Sequence, residues 1–347
     1  MTTKKDIESA LMRGADTLRD TIDAANYKDY VLPVMFVKYL SDSYTDAVEE
    51  LSKQYSGIRL ERQKKYLPFM VAEGCSFYDL YQQRFADNIG QLMNAAMRQI
   101  EADNNQQLAG VLSAVDYNSE NALGTREHKN AILRDLLEDF EPLDLRPSAI
   151  EVKEGQVPAD VIGDAYEYMI GQFASMAGKK AGSFYTPAAV SEIMARIVDV
   201  QPGERVYDPT CGSGSLLIKA AKKQNSKEVS IYGQEVNGSS VAMAKMNMYI
   251  HEIRDAKIGW GDTLANPVFL DADGNLLLFD AIVANMPFSK DKWASGFNPG
   301  GESSGKGKKE FKMEASLDKF HRFDWGVPPA SKGDWAFLLH MIASLSV

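Results

Sequence analysis

The sequence predicts an α/β protein: a helical N-terminal domain over residues 1–170, then a Rossmann-like sheet over residues 171–347. Three observations predict it. Through the first half, apolar residues recur at three- and four-residue spacing, as on helices packed by one face. Near residue 180 the pattern changes to short apolar runs alternating with helical stretches, as parallel strands joined by right-handed crossovers require. Each run ends in a turn bearing Gly, Asp, Glu or Asn, at the strand ends where such sheets bind ligands.

Ile7, Leu11, Leu18 and Ile22 predict the first helix. Val34, Val37, Tyr39 and Leu40, with Val48 and Leu51 beyond, predict a second; 89–100 and 128–140 are two more. Glu141-Pro142 and Arg146-Pro147 punctuate the end of this half. It reads as a partner-binding or DNA-facing domain, or equally as a bundle with no chemistry of its own. Further on, Thr186 reads as an N-cap and Pro187 as the first residue of a helix. Strands are expected at 205–207, 229–232, 257–260 and 279–284, and helices at 216–222, 239–251 and 334–345. The fourth strand is almost wholly apolar, as a strand covered on both faces should be.

The composition excludes several classes. The N-terminus lacks the apolar stretch of a signal peptide, and no run approaches the ~20 apolar residues that span a bilayer. Two cysteines make neither a disulfide framework nor a zinc spacing, so the chain reads as a reduced, cytoplasmic protein. The net charge of -10 conflicts with a protein that grips nucleic acid alone. A local basic patch or a partner would have to supply the grip.

The candidate chemistry lies in five motifs and one loop. Asp208-Pro209-Thr210-Cys211-Gly212-Ser213-Gly214-Ser215 joins the first strand to a helix. Its glycines permit a sharp turn and close approach of a ligand. The third glycine of the dinucleotide fingerprint is missing, and Asp208 would repel a phosphate. It could instead hold the cationic amino-acid end of S-adenosylmethionine. Glu235 follows roughly 20 residues later, where a carboxylate can accept from both hydroxyls of an adenosine ribose. Asp262, at the end of the third strand, could accept from an adenine amino group, or simply cap a turn.

Asn285-Met286-Pro287-Phe288 closes the fourth strand. Proline makes the exit rigid. The Asn285 side-chain oxygen is expected to face the cleft beside the Met286 carbonyl, and Phe288 offers an aromatic face for a base. Gly182-Ser183-Phe184-Tyr185-Thr186-Pro187 could fold over the cofactor or merely begin a helix. Last, the loop 295–312 carries Lys306, Lys308, Lys309 and Lys312, with Lys290 and Lys292 upstream. It could meet DNA phosphate or stay solvated.

Together these motifs resemble the amino-methyltransferases of DNA, and most closely the modification subunits of type I restriction–modification systems. The resemblance covers essentially the whole chain. It implies adenine-N6 methylation with S-adenosyl-L-methionine as cofactor. Gly182, Ser183, Phe184, Tyr185, Thr186, Pro187, Asp208, Gly212, Ser213, Gly214, Ser215 and Glu235 would bind the cofactor, joined by Asp262 on the reading above. Asn285, Met286, Pro287 and Phe288 would handle an adenine flipped out of the duplex. The implied partners are double-stranded DNA, a specificity subunit, a restriction subunit and a second copy of the modification subunit, with no membrane. Delegating sequence reading to the specificity subunit would resolve the acidic charge.

In one respect the chain departs from the family, whose tetrad reads Asn-Pro-Pro-Phe. Met286 keeps the backbone carbonyl but loosens the turn. The family's sheet has seven strands, so this one is expected to be truncated after the fourth. Its last strand would be an unpaired apolar edge, and the chain would bind cofactor weakly without transferring methyl. The same Asn-x-Pro-aromatic logic serves methyltransferases of cytosine N4, RNA adenine and protein glutamine. A non-catalytic assembly subunit is a further alternative.

Overall fold

A computed structural model describes residues 1–178, 185–222, 228–288, 290–298 and 311–346, apart from the side chain of Gln106. It divides into two compact units, Met1–Ala181 with Lys245–Arg254, and Gly182–Ala244 with Asp255–Val347.

The principal helices of the first unit are Lys4–Thr17, Tyr27–Ser52, Ile89–Asp103, Arg126–Phe140 and Pro158–Ala177. Thr3 and Asp6 form a reciprocal capping box at the first start, and Thr125 caps Arg126–Phe140. Ile7, Leu11 and Leu18 are fully buried. The first helix nonetheless stops at Thr17, because Asp20 turns into the left-handed region (φ 67), which leaves Ile22 outside it. The second apolar pattern forms a single helix of 26 residues, with Pro33 in its second turn. Lys38 and Asp42 are buried one helical turn apart as an ion pair, and Asp42 also accepts from the Tyr78 hydroxyl and the Leu145 N–H. Among the described residues no helix is long and apolar enough to cross a membrane.

The second unit is built on a four-stranded parallel sheet in the order β3-β2-β1-β4. The strands are β1 Arg205–Asp208, β2 Ser230–Glu235, β3 Lys257–Trp260 and β4 Ala281–Ile282. Strand order reverses beside β1, with β2 and β3 on one side and β4 on the other. That reversal opens a crevice at the carboxyl ends of β1 and β4. Helices Ala188–Val198, Ser215–Lys222 and Gly333–Ala343 belong to this unit. Tyr207, Tyr232 and Phe279 form a buried cluster against the sheet, with the Tyr207 and Phe279 rings stacked at 4.4 Å. A second cluster gathers Leu264, Trp293, Met313, Phe323, Ala336 and Phe337.

Two expectations are corrected here, and a third in part. β2 runs on to Glu235, which places its carboxylate on the strand's last residue. β4 is two residues, not six, although Asp280 and Val283 still donate to the Arg205 and Tyr207 carbonyls. Among the described residues no strand pairs the outer edge of Ala281–Ile282, but the chain just before β4 is bridged. After the helix Gly333–Ala343 the chain arrives parallel to β4. The Phe279 N–H donates to the Ser344 carbonyl (2.9 Å), and the Ser346 N–H to the Phe279 carbonyl (2.8 Å), a one-residue bridge opposite Leu345.

Candidate functional site

The turn after β1 sets one wall of the site. Gly212 (φ 53) and Gly214 (φ 76) hold left-handed conformations that a side chain would strain. The Cys211 N–H donates to the Gln234 carbonyl (3.0 Å), tying the turn to β2. The two backbones are so close that a Cβ on Gly233 would stand 2.9 Å from the Cys211 sulfur. Asp208 is 2% exposed, and its carboxylate accepts from the Thr210 N–H at 2.8 Å. Burial, helped by the nearby Glu235 charge and opposed by the Thr210 bonds, pushes its carboxyl up to about 7.

Glu235 closes the next strand. One carboxylate oxygen accepts from the Gly212 N–H (3.1 Å), the other from the Asn237 N–H (2.8 Å). Burial raises its carboxyl, while those backbone donors and Lys290 hold it down. Beside it, the buried Gln234 amide bonds the Asn266 carbonyl and the Val268 N–H, fixing the chain beyond β3. There Asp262 caps its own turn through the Leu264 N–H (2.9 Å), so the capping alternative holds for one oxygen. Its other oxygen faces the Lys290 ammonium at 3.9 Å. Thr263 donates its hydroxyl to the Pro209 carbonyl, linking this turn to the first.

Asn285 lies just beyond β4. Its side-chain NH₂ donates to the Thr186 hydroxyl at 3.2 Å, and among the described residues no donor reaches its Oδ1. Thr186 is not the N-cap expected of it. The helix starts one residue later than expected, at Ala188, with Pro187 in the cap position; proline has no side-chain acceptor, so the helix has no side-chain cap, and the Thr186 hydroxyl meets Asn285 instead.

A single cavity of about 220 Å³ collects these groups. Of the predicted residues, Tyr185, Thr186, Gly212, Ser213, Ser215, Glu235, Asp262, Asn285 and Pro287 line it. Asp208, Gly214 and Pro187 do not: Asp208 lies behind its own turn. Met286 packs against the Leu264–Trp293 cluster, and Phe288 stands 82% exposed. Gly182, Ser183, Phe184, Lys306, Lys308 and Lys309 lie outside the described residues. Sequence reasoning missed Asn237, Lys290 and Phe337 as lining residues. The sequence offers Lys290 only as a basic residue upstream of the loop 295–312; its place beside the tetrad is the available signal. Phe337 sits on an apolar helix, where nothing in the spacing sets it apart.

The cavity mouth offers mainly acceptors: two carboxylates, an amide oxygen and hydroxyls, with Lys290 as a lining cation. A parallel sheet with this order, gathering such groups at its strand ends, is of the doubly wound class that takes nucleotide-like ligands. Within that class the chain belongs to the N-6 DNA methylase family, whose sequence model matches residues 157–347. The HsdM N-terminal domain matches residues 7–140. The type I restriction enzyme MjaVIII methylase subunit of Methanocaldococcus jannaschii is 29% identical over 94% of this chain. The MpnII methylase subunit of Mycoplasma pneumoniae is 29% identical over 97%. The chain spans 53% and 65% of those two proteins. In structure it resembles the type I restriction–modification methyltransferase subunit of Streptococcus thermophilus. That match has a TM-score of 0.75 and 28% identity, covering 99% of this chain and 73% of that one.

Proposed function

We propose that this chain acts within a type I restriction–modification complex as its DNA adenine-N6 methylating subunit, with S-adenosyl-L-methionine as methyl donor. The observation that carries the reading is the meeting of Glu235, Asp262 and Asn285, from three strand ends, around one cavity.

The residues fit that cofactor better than a pyrophosphate. Glu235 and Asp262 make the lining acidic, which favours a ligand with a cationic centre and disfavours one with phosphates. Both oxygens of Glu235 keep acceptor capacity beyond their backbone bonds, enough for two ribose hydroxyls. Asp262 would accept from the adenine amino group of the cofactor. Tyr185 and Thr186 would line it, and the family resemblance gives Gly182, Ser183 and Phe184 a part in holding it. When bound, the cofactor supplies a methyl group activated by a sulfonium.

The target adenine would leave the duplex, since its N6 is out of reach in the stack. Asn285 Oδ1 and the Met286 carbonyl would accept from its N6–H, turning the nitrogen lone pair toward the methyl. Thr186 would hold the Asn285 amide in the required orientation. Phe288, the exposed last residue of the tetrad, would offer a face for the flipped base. Because the sulfonium would depart as a neutral thioether, placement does most of the work, and the proton shed by N6 after transfer would pass to solvent. The helical half, residues 1–170, would face partners or DNA. A specificity subunit would read the sequence, consistent with a net charge of -10.

The test is transfer of tritiated methyl from the cofactor to duplex DNA by the full protein with its specificity partner. N6-methyladenine in the digested DNA is expected. N4-methylcytosine, or transfer to RNA or protein instead, overturns the assignment of substrate. Cofactor binding with no transfer to any acceptor favours an assembly role.

A further inference from the structure

The segment 311–346 contributes a buried guanidinium that none of the motifs contains. Arg322 is 4% exposed, and each of its five N–H groups has an acceptor. Nε and one NH₂ proton bind the buried Asp318 as a fork, at 3.0 and 2.8 Å. One proton of the other NH₂ reaches the Thr263 carbonyl (3.3 Å), and its second meets His340 Nδ1 (3.2 Å). The last N–H, on the first NH₂, reaches the Leu264 carbonyl. His340 is buried between this guanidinium and the Tyr207 hydroxyl, which lies 3.2 Å from Nε2. Burial and the Arg322 charge lower the imidazole to about 3, so it is neutral. Nδ1 then accepts from Arg322 and Nε2–H donates to Tyr207.

The two backbone carbonyls are the informative contacts. They belong to consecutive residues of the turn that carries Asp262, and the Asp262 carboxylate lines the cavity. Through His340 the same guanidinium is tied to Tyr207, the residue before Asp208 on β1. An ion pair buried for stability alone gains little over well-packed apolar residues, since desolvation offsets most of the attraction. A planar fork that also grips two adjacent carbonyls fixes geometry, and lysine, a single compact charge, cannot reproduce it.

We infer that Arg322 is a positioning residue, held by Asp318 and His340, that sets the Asp262 turn against the β1 turn and so determines selectivity for the base of the cofactor. The inference rests on the reading that Asp262 meets the adenine amino group. Arg322 touches no ligand and acts through the backbone of residues 263 and 264.

The experiment compares affinities of the full chain for S-adenosylhomocysteine and for its inosine analogue, in which a carbonyl replaces the exocyclic amine. Wild type should prefer the adenosine compound by about tenfold or more, the loss expected when a buried acceptor is left without its donor. Arg322→Lys keeps the charge beside Asp318 but loses the fork. It should reduce the preference several-fold while affinity for the inosine analogue stays within about twofold. Should Arg322→Lys fail to fold, His340→Gln loosens the guanidinium more gently and should give a smaller loss in the same direction. Equal weakening of both ligands, or an unchanged ratio, makes the network merely structural and overturns the inference. Asp262→Ala separates the two claims. If it keeps the wild-type ratio, the base-contact reading fails and takes the inference with it; if it abolishes the ratio while Arg322→Lys does not, only the inference fails.

Discussion

The Asn285 amide donates to the Thr186 hydroxyl across 3.2 Å, joining segments 99 residues apart in the chain. In this orientation the amide leaves its oxygen without a donor among the described residues and turned to the cavity. A neutral hydrogen bond of this kind contributes about 1 kcal/mol, or roughly fivefold in an equilibrium. Thr186→Val keeps the shape and removes the acceptor. It should lower methyl transfer about fivefold or more, with cofactor affinity within about threefold. Asn285→Ala should abolish transfer at similar cofactor affinity. Single-turnover kinetics with calorimetry check both; wild-type transfer by Asn285→Ala would refute the tetrad's role.

Glu235 and Gly212 form one device, because the Gly212 N–H donates to the Glu235 carboxylate. Glu235→Ala should weaken cofactor binding at least ~100-fold, since it removes two charge-assisted acceptors at about 1.5–3 kcal/mol each. Gly212→Val should do the same by another route. Its φ of 53 strains any side chain by about 1–2 kcal/mol and shifts the donor away. Thermal melts should separate the two: a loss of stability for Gly212→Val, little for Glu235→Ala.

Asp208 gives the unliganded protein a pH signature. Its folded pKa, about 7, lies above the ordinary carboxyl value of 3.8, so folding favours the protonated form. That contribution is complete below about pH 4 and is lost as pH rises toward 7. At ~1.4 kcal/mol per unit it amounts to about 4 kcal/mol at most. Asp208→Asn should flatten the stability curve over that window. Chemical denaturation between pH 4.5 and 7.5 is the check, and an unchanged slope counts against the buried carboxyl.

Met286 and Phe288 should respond differently to substitution. Met286 packs against the Leu264–Trp293 cluster, so Met286→Pro should lower the melting temperature by a few degrees, as ~1 kcal/mol does in a domain of this size. Transfer by that variant should equal or exceed wild type. Phe288 is 82% exposed, so Phe288→Ala should leave the melt unchanged. Its effect should fall on DNA binding, where loss of base stacking removes about 1–3 kcal/mol.

Local signals in the sequence account for the starts of β1 and β3, the glycine turn, and the carboxylates at the ends of β2 and β3. Each rests on residues close together in the chain. What escaped depends on distant pairings. Thr186 has the chemistry of an N-cap, but the helix begins one residue further on, and the partner of its hydroxyl, Asn285, lies 99 residues away. The bridge from Phe279 to Leu345 pairs the chain just ahead of β4 with a segment 66 residues away. Arg322, Asp318 and His340 carry no motif, because a buried ion pair looks in sequence like any charged residue among aromatics. In sequence Lys290 is one more basic residue upstream of the loop 295–312, and only the fold turns it toward Asp262.

The sheet order has a kinetic consequence. Arg205 finds its partner Ser230 after a short crossover, whereas Val206 must wait for Ala281, a loop roughly three times longer. Closing the longer loop costs about 1 kcal/mol more in chain entropy. The β1–β2 half, with Gly212 and Glu235, should therefore assemble first on refolding, and the β4 flank with Asn285 last. In native-state hydrogen exchange the amide of Val283 should open at lower free energy than those of β2, so that the Glu235 side of the cleft persists while the Asn285 side comes and goes.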